Sequence, residues 1–127
     1  MITGLDHVLV TAPKGHEAEA RAFFAEFLGM VELQKPDKLA ALNGVWFGMP
    51  DGRQLHTLTA EPFAPSKRAR VCLRVKDLDL FAEMAENEGH LLQWDGRTDA
   101  RRVFMPDPWG NQLEIVEGEH VGVALEE

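Results

Sequence analysis

The stretch Met105-Pro106-Asp107-Pro108-Trp109-Gly110-Asn111-Gln112-Leu113-Glu114-Ile115-Val116 has a partner earlier in the chain. With a two-residue gap closed, Met49-Pro50-Asp51 aligns with Met105-Pro106-Asp107, and Gly52-Arg53-Gln54-Leu55-His56 aligns with Gly110-Asn111-Gln112-Leu113-Glu114. Proline, aspartate, glycine and asparagine make each copy a turn, and the residues after it alternate as a strand does. Side chains two apart share a strand face, so Leu113 and Ile115 point one way and Gln112, Glu114 and Val116 the other. His56 falls on Glu114. A chain written twice folds as two like modules, and every other reading of this sequence has to respect that.

Residues 5–11 form an expected strand, with Val8 and Val10 on one face and His7 and Leu9 on the other. A helix follows, carrying Ala20, Phe23, Phe24, Phe27 and Leu28 along one side. Gly29 suits the left-handed residue after its end. Strands are expected over 30–33, 39–42 and 45–48, with Asn43-Gly44 as a hairpin turn, and then over 52–59, which carries His56. Glu61-Pro62-Phe63-Ala64-Pro65-Ser66-Lys67 is linker-like. The pattern then restarts. A strand over 70–75 leads to Asp77, a good N-cap. The helix after it runs to about residue 88 and buries Leu78, Phe81, Met84 and Ala85. Strands over 90–94 and 101–105 precede the Glu114 strand. His7-Val8-Leu9-Val10 lies over Arg70-Val71-Cys72-Leu73. The expected fold is α+β: two tandem βαβββ modules, about 1–62 and 66–120, forming one domain over 1–120, with 121–127 an acidic tail.

Composition narrows the partners. The chain of 127 residues carries a net charge of −8, which disfavours nucleic acid and anionic membranes as partners. It has no apolar run near the roughly 18 residues that a membrane span needs. Cys72 is the single cysteine, so no intrachain disulfide forms, and a reducing cytoplasm is the expected compartment.

The polar face of the paired strands carries His7, His56, Arg70 and Glu114. Two imidazoles and a carboxylate suit a divalent metal, with Zn, Ni, Fe or Mn all compatible. His7, His56 and Glu114 are therefore candidate ligands, and Glu114 is also a candidate proton acceptor. Trp46 and Trp94 could wall a ligand cavity. Arg97, Arg101 and Arg102 form a small basic cluster, either a solvated strand end or a grip on a carboxylate or phosphate; Arg101 joins Arg70, Trp46 and Trp94 as a candidate substrate contact. His16, His90 and His120 are expected to be solvated, Trp109 to be structural, and Cys72 to be a packing residue.

With Leu5-Asp6-His7-Val8, Gln54-Leu55-His56, Val75-Lys76-Asp77-Leu78-Asp79 and Asp107-Pro108-Trp109-Gly110-Asn111-Gln112-Leu113-Glu114 in view, the chain from Leu5 to Glu117 resembles the vicinal oxygen chelate superfamily. This is also called the glyoxalase, bleomycin-resistance and extradiol-dioxygenase fold. The resemblance implies a glyoxalase-like curved mixed sheet around a cavity, often in a homodimer, with ligands at the positions of His7, His56 and Glu114. One position departs. Where such enzymes usually have a further histidine, this chain has Arg70, a permanent cation that cannot ligate. Arg70 could recognise an anionic group beside a three-ligand metal, or pair with Glu114 in a metal-free site. Three functions follow: a metal-dependent enzyme of the glyoxalase type (lyase, isomerase or epimerase) that stabilises an enolate or oxyanion of a small substrate, a metal-free small-molecule binding protein of the bleomycin-resistance type, or an extradiol dioxygenase.

Overall fold

The structure, a computed structural model, describes residues 1–97 and 101–118. The expected acidic tail and His120 lie outside the described residues. The chain divides into two compact units: Met1–Ser66 with Pro108–Gly110, and the described residues of Lys67–Asp107 and Asn111–Glu127.

The first unit contains β1 (His7–Ala12), α1 (Glu17–Ala20, continuing as a π-helix over Arg21–Phe27), β2 (Val31–Leu33), β3 (Trp46–Gly48) and β4 (Gln54–Thr59). Its sheet has the order β1-β4-β3-β2, with β1 parallel to β4 and the other pairs antiparallel. The second unit contains β5 (Arg70–Val75), α2 (Leu78–Asn87), β6 (Gln93–Trp94), β7 (Arg102–Pro106) and β8 (Gln112–Glu117). Its order, β5-β8-β7-β6, is the same one shifted by four strands.

The registers repeat as well. His7 pairs with Gln54 and Trp46 with His56 in the first sheet; Arg70 pairs with Gln112 and Phe104 with Glu114 in the second. His7 is thus equivalent to Arg70, His56 to Glu114 and Trp46 to Phe104. One face of each sheet is apolar and covered. Val10, Ala12, Phe47 and Leu55 are buried in the first, with Ala20, Phe23 and Phe24 of α1; Val103, Met105, Leu113 and Ile115 are buried in the second, with Leu78, Ala82 and Ala85 of α2. The alternation of two along a strand leaves the polar set on the opposite face.

Several local expectations change. Residues 39–42 are not a strand: Asp37–Leu39 is a 3₁₀ turn, an extension of the turn chemistry of Pro36 and Asp37. Asn43-Gly44 therefore closes no hairpin. The strand expected over 90–94 is limited to Gln93–Trp94. Met84, expected inside, is 49% exposed, and Ala82 takes the buried place on α2. His16, expected in solvent, is 1% exposed. It donates from Nδ1 to the Pro13 carbonyl at 2.9 Å, and the Thr57 hydroxyl donates to its Nε2 at 2.8 Å. Asp77 caps α2 as expected, accepting the Leu80 N–H at 3.0 Å. Trp109 packs its edge against His16 with centroids 5.4 Å apart, and its Nε1 donates to Glu19 at 3.4 Å. No helix among the described residues is long and apolar enough to cross a membrane.

Candidate functional site

The chemistry-bearing residues lie on the uncovered faces of the two sheets. In the first unit three rings stack on β3, β4 and β1. Trp46 lies on His56 with centroids 4.0 Å apart and 5° between planes, and His56 lies on His7 at 4.1 Å and 15°. The register explains the column: Trp46 is directly across from His56, and His7 is one diagonal step away. His7 Nδ1 is 2.8 Å from Asp6 Oδ1, and His56 Nε2 is 2.8 Å from Gln54 Oε1. Desolvation first, and the neighbouring His7 second, hold His56 below the usual histidine range. Trp46 also borders an open cavity of about 250 Å³ that includes Arg21, Glu32 and Lys35.

In the second unit the equivalent face is charged. Arg102 Nη1 donates to Glu114 Oε2 at 2.9 Å, and Arg70 Nη1 lies 3.6 Å from Oε1 of the same carboxylate. Cys72 Sγ donates to Glu114 at 3.6 Å. Burial and the adjacent Glu114 carboxylate push the Cys72 thiol up to about 11. The Arg70 guanidinium stands 4.6 Å above the Phe104 ring centroid. Asp95 accepts from Arg97 Nε at 2.8 Å and Nη2 at 3.2 Å, which lowers its carboxyl to about 2. Arg70, Asp95, Arg97 and Phe104 border an open cavity of about 400 Å³ with Trp94 and Gln112 on its wall. Arg101 does not line the cavity: it holds Asp79 of α2 by two bonds, at 2.7 and 3.2 Å, and its guanidinium lies 5.5 Å from the Trp94 ring centroid.

So His7, His56 and Trp46 come together in one unit, and Arg70, Glu114 and Trp94 belong to the other. Phe104 was missed as a site residue, and Arg102 was read only as part of the basic cluster, not as the partner of Glu114. Their parity with Glu114 across β7 and β8 was the available signal, but it depends on the register between those two strands.

A divalent ion bound by imidazole sits in the ring plane, about 2.0–2.1 Å from the nitrogen. Stacked rings have nearly parallel planes, so their in-plane lone pairs do not converge on one point. Glu114, the expected carboxylate donor, has its charge answered by two guanidiniums. As placed, the two stacked imidazoles do not share an ion. Among the described residues no group of three or more His, Cys, Asp and Glu is arranged to hold a metal.

No protein-family model matches the chain, and no curated protein matches it. Solved structures do. A protein from Agrobacterium tumefaciens described as lactoylglutathione lyase is similar at 17% identity and a TM-score of 0.71, over 92% of this chain and 95% of that one. A mutant of the fosfomycin resistance protein FosX of Listeria monocytogenes, in a complex with Mn(II) and 1S,2S-dihydroxypropylphosphonic acid, is similar at 14% identity and a TM-score of 0.76, over 94% of this chain and 95% of that one. Those two likenesses concern the fold. A protein from Bacillus anthracis assigned to the glyoxalase family is similar at 38% identity and a TM-score of 0.87, over 94% of this chain and 98% of that one. With that identity over nearly the whole of both chains, and with the duplicated βαβββ register, this protein belongs to the glyoxalase family of the vicinal oxygen chelate superfamily.

Proposed function

We propose that this protein binds a small molecule without a metal, and that the uncovered face of a sheet supplies the contacts. The observation that carries this reading is the state of Glu114. A carboxylate that accepts from Arg102 at 2.9 Å and has Arg70 at 3.6 Å is already neutralised. Binding an ion there would first break a charge-assisted hydrogen bond and would bring a cation beside two guanidiniums. The stacked His7 and His56 rings, each with a hydrogen-bond partner, support the same reading. The reading is of the bleomycin-resistance type in needing no metal, but Arg70 in the cavity is unsuited to a cationic ligand.

A metal-dependent enzyme of the glyoxalase type is the second reading. It is favoured by the closeness of His7 to His56 and by the Mn(II) complex of the similar FosX fold. In that case His7, His56 and Glu114 would be the donors, after the imidazoles turn out of their stack and Glu114 leaves Arg102. The third reading, an extradiol dioxygenase, needs the same three donors and has no separate support.

Calorimetric titration with Mn(II), Zn(II) and Ni(II) separates the first two. Metal-stripped wild-type protein should give no saturable heat, as should His56→Ala and Glu114→Gln. One equivalent of metal bound by the wild type and lost in both variants would overturn the metal-free reading. We further propose that the protein is a homodimer.

A further inference from the structure

The charge balance around the larger cavity runs against that of the chain. Among the described residues the cavity is lined by two guanidiniums, Arg70 and Arg97, and one carboxylate, Asp95, a local excess of one positive charge in a protein whose net charge is −8. The surplus is localised. Arg97 makes two hydrogen bonds to Asp95, and Arg102 makes one to Glu114 at 2.9 Å. Arg70 approaches Glu114 only to 3.6 Å, beyond hydrogen-bond range for an N–H donor. Its side chain is 41% exposed. Its donors are therefore available, and the guanidinium lies over Phe104, 4.6 Å from the ring centroid. A planar guanidinium whose N–H groups make no hydrogen bond can donate to two oxygens of one ligand side by side, even while its charge still faces Glu114 at 3.6 Å. Trp94 adds an apolar wall that is 46% exposed.

We propose that this cavity binds a small organic anion: a carboxylate or phosphonate that sits on the fork of Arg70, joined to a flat, apolar body that lies against Trp94. The volume of about 400 Å³ suits a ligand of one ring or a short unsaturated chain. This rests on the reading of the site as metal-free. Arg70 then offers a ligand two adjacent donors at the position equivalent to His7 in the first module.

Phenylphosphonate and benzoate are the probes, followed by calorimetry and tryptophan fluorescence, with a Trp94→Phe variant to assign the optical signal. Acetate tests the need for the ring and benzylammonium the sign of the charge. Phenylphosphonate should bind saturably, acetate far more weakly, and benzylammonium not at all. Arg70→Gln should weaken phenylphosphonate about tenfold or more, since a charge-assisted pair is lost. Arg70→Lys, which keeps the charge and the stem, should recover only part of that. Equal affinity of the wild type and Arg70→Gln, binding of benzylammonium as tight as of phenylphosphonate, or no saturable binding of either anion would overturn the proposal. Its failure is separate from that of the metal-free reading. Uptake of metal through His56 and Glu114 would end the latter, whereas the Arg70 comparison is made on metal-stripped protein and decides the ligand class by itself.

Discussion

Glu114 governs its neighbours through its charge, and Cys72 reports on it. The residue is exposed, yet its sulfur is partly enclosed and donates to the carboxylate at 3.6 Å. With the thiol pushed up to about 11, thiolate is scarce near neutrality. Alkylation by iodoacetamide at pH 8 should run on the order of a hundredfold slower than for an unperturbed cysteine, because the thiolate is the nucleophile. Glu114→Gln should speed it, as one of the raising causes is removed. A rate like that of free cysteine in the wild type would contradict the placement of the sulfur. A second residue-scale case is Thr57. Its hydroxyl accepts the Val45 N–H at 2.9 Å and donates to His16 Nε2 at 2.8 Å, all of it buried. The Pro13 carbonyl can only accept, so His16 is protonated on Nδ1 and its Nε2 needs a donor. Thr57→Val would strand one donor and one acceptor out of water, and should cost about 2 kcal/mol or more. Chemical denaturation measures it.

Gly44, between the 3₁₀ turn and β3, decides how that part of the first unit closes. Its φ is +91°, and a Cβ there would lie 1.9 Å from the Thr57 carbonyl oxygen. Gly44→Ala therefore combines a strained backbone with a backbone clash and should cost about 2–3 kcal/mol or more. Gly52 has a φ of +88° with open space around it, so Gly52→Ala should cost only the conformational part, about 1 kcal/mol. The Gly44 N–H also donates to Glu17 at the start of α1, at 2.8 Å. That bond holds the Glu17 carboxyl below the ordinary range. A folded-state value below the unfolded one means stability that is present above the usual glutamate range and lost as pH falls through the lowered value. Glu17→Gln should flatten this acid limb in stability measurements from pH 7 to pH 3; an unchanged limb would show that the bond does not matter. These elements also divide what was legible in the sequence from what was not. The equivalence of His7 with Arg70 and of His56 with Glu114 could be read directly, because a strand slipped by one residue would turn its apolar set outward. The expected strand at 39–42 failed because no neighbouring alternation constrained it. His16 was misjudged because its partner, Thr57, is 41 positions away, and local pattern carries no such contact. The commitment of Glu114 to Arg102 was likewise a question of register, and candidate residues alone could not decide it.

At the scale of the whole molecule, duplication multiplies edges. Each four-stranded sheet ends in a short strand on one side, β2 or β6, and in a six-residue strand on the other, β1 or β5. Short edges offer little to pair with, whereas β1 and β5 are long enough to recruit another strand or demand a cover. β1 also carries Leu9 on its uncovered face, 50% exposed, directly across from His56. An aliphatic side chain standing in water beside an aromatic column is unfavourable in a lone chain and is relieved when a twofold partner covers it. A homodimer that buries the Leu9 face would do so. Light scattering at micromolar concentration should then give twice the chain's 14.2 kDa. Leu9→Glu, which puts a charge into that contact, should return the mass of a single chain while leaving the circular dichroism of the sheets intact. A wild-type mass of 14.2 kDa would refute the dimer; a Leu9→Glu protein that still gave twice that mass would put the interface on another face, with Leu9 left to meet the ligand and not a second copy.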